Sequence, residues 1–163
     1  MKSLTILALL TFQIAFAVPE EYYIKKYQDG NLKEEGWIRD GERHGYWKFY
    51  QDDHLVRKGA FERGIKNGYW FFYSKGQLVE EGRYNQGARE AWWIQYQPIT
   101  NSKTKVHYKE GKKSGFSLYY KNSSLKRVTE YDNGIKLGSW TSWWKFKSDH
   151  PNFRLNELKG NSY

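Results

Sequence analysis

The chain has no cysteine, three prolines and one methionine in 163 residues. Without cysteine it has no disulfide framework, thiolate metal site, sulfur nucleophile or sulfur-linked lipid anchor. It also lacks a G-x-x-x-x-G-K-[ST] phosphate loop, a G-x-G-x-x-G dinucleotide turn and a G-x-S-x-G nucleophile elbow. Its histidines, His44, His54, His107 and His150, show neither H-x-x-x-H nor H-E-x-x-H spacing. No metal and no cofactor is therefore expected. The acid pairs supply no catalytic dyad either. Asp52-Asp53 suits a turn, and Glu34-Glu35 and Glu80-Glu81 send their side chains to opposite faces of a strand. The expectation is a non-enzymatic protein, with an unrecognised small hydrolase as the remaining catalytic alternative.

A run long enough to span a membrane is missing too. The apolar stretch 4–16 follows Met1-Lys2, is diluted by Thr5, Thr11 and Gln13, and ends in a small-x-small cleavage pattern, Ala15-Phe16-Ala17. Residues 1–17 are thus expected to be a helical secretory signal peptide. The mature chain 18–163 would be soluble, in a bacterial periplasm or outside the cell. Export argues against a nucleic-acid target and against reactions that draw on ATP or nicotinamide pools.

Aromatic residues are what the chain has in abundance: eight Trp, 14 Tyr and nine Phe. They recur. Gly45-Tyr46-Trp47-Lys48-Phe49-Tyr50, Gly68-Tyr69-Trp70-Phe71-Phe72-Tyr73 and Ala91-Trp92-Trp93-Ile94-Gln95-Tyr96 start 23 residues apart. Gly115-Phe116-Ser117-Leu118-Tyr119-Tyr120 follows after one inserted residue, and then Gly138-Ser139-Trp140-Thr141-Ser142-Trp143. Parallel tracks of Leu32, Leu55 and Leu78, of Gly36, Gly59 and Gly82, and of Gly41, Gly64, Gly87, Gly111 and Gly134 keep the same register. Each unit holds two short aromatic and β-branched runs parted by turn residues, which predicts a hairpin. The expected fold is all-β: an elongated single-layer antiparallel sheet of tandem hairpins over 18–143. Its units are 22–44, 45–67, 68–90, 91–114 and 115–137, with a final strand at 138–143. Residues 144–163 carry no repeat and are expected to form an irregular cap.

Pairing Tyr50 with Leu55 predicts Tyr46 opposite Gly59, and by the same arithmetic Tyr69 opposite Gly82 and Tyr23 opposite Gly36. Alternation then sorts the aromatics onto two faces. One carries Tyr23, Tyr46, Tyr50, Tyr69, Phe71 and Tyr73, and is expected to be the better buried. The other carries Trp47, Trp70, Trp93 and Trp140 with Phe49 and Phe72. Tryptophans two strand spacings apart, roughly 9.5 Å, either form a ladder for sugar rings, lipid headgroups or a partner protein, or simply close the second face.

These residues resemble the MORN repeat, in the variant with the spacing G-x-W-x-x-Y-x-x-x-x-L-x-x-x-G-x-Y-x-x-G-x-x-x-G. Units 45–67 and 68–90 follow it closely, and 22–44 follows it from its first tyrosine. Unit 115–137 is looser, and 91–114 departs most, with Ala91 in place of glycine and an extra residue near Pro98. The resemblance implies a sheet of stacked hairpins. It further implies a protein-interaction or membrane-lipid module, and for bacterial proteins built wholly of this variant, a toxin–antitoxin antitoxin.

Charge is uneven. Residues 18–90 hold 13 basic and 13 acidic side chains, whereas 91–163 hold 13 basic and five acidic. Lys103, Lys105, Lys109, Lys112, Lys113, Lys121, Lys126 and Arg127 gather within 103–127. They form a candidate patch for anionic lipid, acidic polysaccharide or an acidic protein surface, or else a solubilising exterior. A second basic track, Arg43, Lys66, Arg89, Lys113 and Lys136, places one cation at each inter-unit turn and is expected to suit exposed positions there. The favoured reading is an exported monomer that binds a protein partner, in antitoxin- or immunity-like fashion. The alternative is a binder of anionic envelope lipid or polysaccharide through 103–127.

Overall fold

The computed structural model describes residues 19–154. The expected signal peptide at 1–17 and the last part of the expected cap lie outside the described residues. Eleven strands follow one another: β1 (Glu21–Lys26), β2 (Leu32–Arg39), β3 (Glu42–Gln51), β4 (His54–Glu62), β5 (Ile65–Ser74) and β6 (Gln77–Asn85), then β7 (Ala88–Gln97), β8 (Ser102–Lys109), β9 (Lys112–Lys121), β10 (Ser124–Asp132) and β11 (Ile135–Trp140). They form one open antiparallel sheet in which spatial order equals sequence order. The expected all-β sheet of consecutive hairpins is what the chain forms.

Two-residue turns with positive φ at both positions join most strands, as at Asp52-Asp53 (49° and 59°) and Arg63-Gly64 (49° and 73°). That geometry matches the right-handed twist of the strands it connects. Glycine at the second position of every inter-unit turn removes the Cβ clash of the left-handed region. Along that edge the turns are stitched together: the amide of Gly64 donates to the Arg43 carbonyl at 2.9 Å, Gly87 to Lys66 at 2.9 Å, Gly111 to Arg89 at 2.9 Å and Gly134 to Lys113 at 2.8 Å.

The register differs from the expected one by a residue. A bulge between Phe49 and Tyr50 shifts the pairing, so Trp47 rather than Tyr46 faces Gly59, and Trp70 rather than Tyr69 faces Gly82. The Tyr23–Gly36 pair stands as expected. Each glycine lies beneath the tryptophan of the following unit. A Cβ on Gly36, Gly59 or Gly82 would stand 2.3 Å from the ring of Trp47, Trp70 or Trp93. A second bulge beside each of these glycines leaves a carbonyl turned toward the indole. The indole N–H of Trp70 donates to Ala60 O, that of Trp93 to Arg83 O and that of Trp47 to Trp37 O, each at 3.0 Å. The bulge, the glycine and the tryptophan are one device.

This device reverses the expected burial. Trp47, Trp70 and Trp93 are 1%, 0% and 0% exposed, and with Phe49, Phe61, Val106 and Tyr108 they fill one face. A buried indole removes on the order of 200 Å² from water, so the larger rings win the covered side. The opposite face, expected to be the better buried, keeps Tyr46 and Tyr69 open. Beyond β8 the pattern inverts: Ser117 and Ser139 take the tryptophan place, and the core moves to the tyrosine-bearing face. There α1 (Trp143–Asp149), a helix within the stretch expected to be irregular, seats Phe146 against Leu118 and Val128. Ser142 starts it by accepting from the Lys145 amide at 3.4 Å.

Candidate functional site

The two faces differ in what they offer. On the indole face, Arg43, Lys66 and Arg89 lie opposite Ile38, Phe61 and Tyr84 across the strand pairs. They are not turn residues, as expected from sequence, but the second residues of β3, β5 and β7. The turns are only two residues long, so each cation already belongs to a strand and its stem lies down across the rings. The Arg43 guanidinium stands 4.8 Å from the Trp47 ring, the Lys66 ammonium 4.5 Å from Trp70 and the Arg89 guanidinium 4.0 Å from Trp93. Cations over indoles are favourable where water is partly excluded.

Two of the three are also paired. Arg43 donates to Glu34 at 2.8 Å, and Arg89 donates through both terminal nitrogens to Glu80 at 2.9 Å. Burial works against the Arg89 charge, but the Glu80 carboxylate outweighs it and leaves the guanidinium pKa raised. For Lys66 burial dominates, and the charges of Arg57 and Arg89 add to it, so its pKa falls below the usual lysine value.

The tyrosine face is open over β1–β6. Tyr22, Trp37, Tyr46 and Tyr69 are 43%, 41%, 44% and 46% exposed, and the rings of Tyr22 and Trp37 meet edge to face at 5.0 Å. Polar groups on this face are satisfied in a repeated pattern. Glu35 accepts from the Tyr50 hydroxyl at 2.7 Å and from Lys48 at 3.1 Å, and two units on Glu81 accepts from Tyr96 at 2.6 Å. The Tyr50 hydrogen bond, followed by Lys48, holds the Glu35 carboxyl below the usual carboxylate range. The inserted residue of unit 91–114 becomes a 3-10 turn at Pro98–Thr100. Beside it an open cleft of about 450 Å³ lies between Leu78, Tyr96, Lys103 and Tyr120.

No protein-family model and no curated protein matches the chain.

The candidate residues are distributed as follows. Trp47, Trp70 and Trp93 share the indole face but are sealed beneath cations and phenyl rings, so they close that face and present no ladder. Trp140 is on the other face, where its N–H donates to Asp149 at 2.6 Å and its ring meets Phe146. Lys103 and Lys105 lie on the tyrosine face over Tyr120 and Trp92, at 5.7 and 5.1 Å. Lys113 and Arg127 lie on the indole face over Tyr131 and Tyr119, at 5.1 and 5.2 Å. Lys109 and Lys112 flank the β8–β9 turn on one edge, Lys121 ends β9 on the other, and Lys126 sits in the β10 bulge. The cluster in sequence is thus spread over two faces and two edges. Trp37 and Tyr22 were not singled out from sequence, because Trp37 lies off the main tryptophan track and only the fold shows it uncovered.

Proposed function

We propose that this is a non-catalytic interaction protein that docks a protein partner on the open part of its tyrosine face. One observation carries the reading. The same face is closed over its C-terminal strands by α1 and left bare over β1–β6, with Tyr22, Trp37, Tyr46 and Tyr69 projecting from paired strands. Aromatic side chains with polar tips lose little conformational freedom on contact, and Tyr and Trp dominate binding energy at protein interfaces. The resemblance to MORN arrays supports an interaction role. An antitoxin- or immunity-like role is its most specific form, and with a signal peptide it would be directed at a toxin acting outside the cytoplasm. The alternative, anionic lipid or polysaccharide held by 103–127, needs cations gathered on one surface, and here they are divided.

Photo-crosslinking residues placed at Tyr46 and Tyr69 in the cell envelope test this. Both are expected to trap the same protein, while a probe at Trp144, exposed on α1, does not. The combined Trp37→Ser, Tyr46→Ser and Tyr69→Ser variant should bind that protein about a hundredfold less tightly. Equal trapping from Trp144, or unchanged affinity in the triple variant, would sink the assignment.

A further inference from the structure

The indole face breaks its own pattern at one place. Residues 34, 57 and 80 are equivalent, as are 43, 66 and 89: Glu34, Arg57 and Glu80 face Phe49, Phe72 and Gln95 across the strand pairs. In the first and third of these repeats an acid and a base meet, Glu34 with Arg43 at 2.8 Å and Glu80 with Arg89 at 2.9 Å. In the repeat between them the acid is replaced by Arg57. There the Arg57 charge bears on Lys66, where both neighbouring repeats hold a carboxylate.

The Arg57 guanidinium lies 4.5 Å from the Phe49 ring and the Lys66 ammonium 4.5 Å from the Trp70 ring, and those two rings stack at 6.1 Å. Among the described residues neither Arg57 nor Lys66 has an ion-pair partner, and the nearest acids, Glu34 and Glu80, are already engaged. Trp70 is fully buried beneath the pair. Lys66 is half-buried and less well screened than a solvated lysine, and Arg57 is exposed and open to an incoming anion.

We propose that Arg57 and Lys66 form a receptor slot for a glutamate or aspartate side chain of a partner protein. The neighbouring repeats show the pairing that such cations take, because Glu34 and Glu80 accept charge-assisted hydrogen bonds from an arginine stacked on an indole. A segment rather than a lone ion is indicated, since the acid track continues without acid at Thr104 and Arg127, while Lys113 and Lys136, paired with Tyr108 and Tyr131, hold the place of Lys66 in the later repeats. An acidic stretch laid across the strands would meet cations in more than one repeat. The slot lies on the face opposite the docking surface proposed above and does not depend on it.

The test is calorimetric titration of the mature protein with N-acetylated, amidated pentaglutamate, with pentagalacturonate as the carbohydrate arm. Arg57→Glu supplies the missing internal carboxylate and is expected to weaken pentaglutamate binding about tenfold or more while raising Tm. Lys66→Gln should weaken it without raising Tm, and the tyrosine-face triple variant should bind as the parent does. Glu80→Arg should open a second slot and increase binding. Parent-like pentaglutamate binding by both Arg57→Glu and Lys66→Gln would show diffuse attraction and overturn the slot. Tighter binding of pentagalacturonate than of pentaglutamate would overturn the assignment to a protein side chain. If Arg57→Glu fails to fold by circular dichroism, Lys66→Gln decides.

Discussion

Gly59 lets the Trp70 indole lie flat on the backbone, and no other side chain leaves that room. A Cβ there would stand 2.3 Å from the ring, well inside contact distance. The ring is hemmed by Phe49 and Phe61 and has nowhere to retreat. Gly59→Ala should therefore destabilise the sheet by about 3 kcal/mol, read as a lower urea midpoint and loss of the near-ultraviolet tryptophan signal. Ala91 presents the opposite case. It takes the place of the glycine that is the fourth residue of the equivalent strands, at positions 45, 68 and 115, yet holds φ at 58°. A left-handed alanine costs about 1–2 kcal/mol, against the extra unfolded-state freedom glycine would bring. Ala91→Gly should stabilise by roughly 0.5–1 kcal/mol, and an unchanged or lower Tm would refute the strain.

Strands on the tyrosine face are tied by half-buried hydroxyl–carboxylate bonds, and the Glu35 bond carries a pH dependence. Glu35 is held below its ordinary 4.5, first by Tyr50 and then by Lys48. A carboxyl whose folded value is depressed adds stability above its unfolded value and loses it as pH falls through the folded one. The parent should therefore exceed Glu35→Gln in stability at neutral pH, and the gap should close below pH 4.5; urea midpoints across that range provide the measurement. The elements themselves were legible in the 23-residue spacing, because alternation and two-residue turns are local properties. The burial of the faces was not. A bulge near the turn inside a unit, as between Phe49 and Tyr50 or Phe72 and Tyr73, moves the pairing by a residue, and period-two reasoning cannot see a residue that leaves the period. The cation track was misplaced for a related reason, since a long stem carries its charge away from the turn where its backbone begins. The Arg57 slot was legible in principle: aligning positions 34, 57 and 80 shows the sign change without any coordinates.

At the scale of the molecule, the sheet buries its indole face from β2 to β8 and its tyrosine face through its last three strands. Each end thus has its own core, and the exposed aromatic strip ends where the helix begins. The two long edges also differ. On one, successive turns bond to one another through Gly64, Gly87, Gly111 and Gly134; on the other, a single backbone bond between turns is found among the described residues, Asn122 to Asn101 at 2.9 Å. Such a sheet behaves like a folding fan, with ribs pinned along one rim and freer to spread along the other. Spreading the strands apart along the loose rim would break that one bond between turns, whereas along the other it would break four.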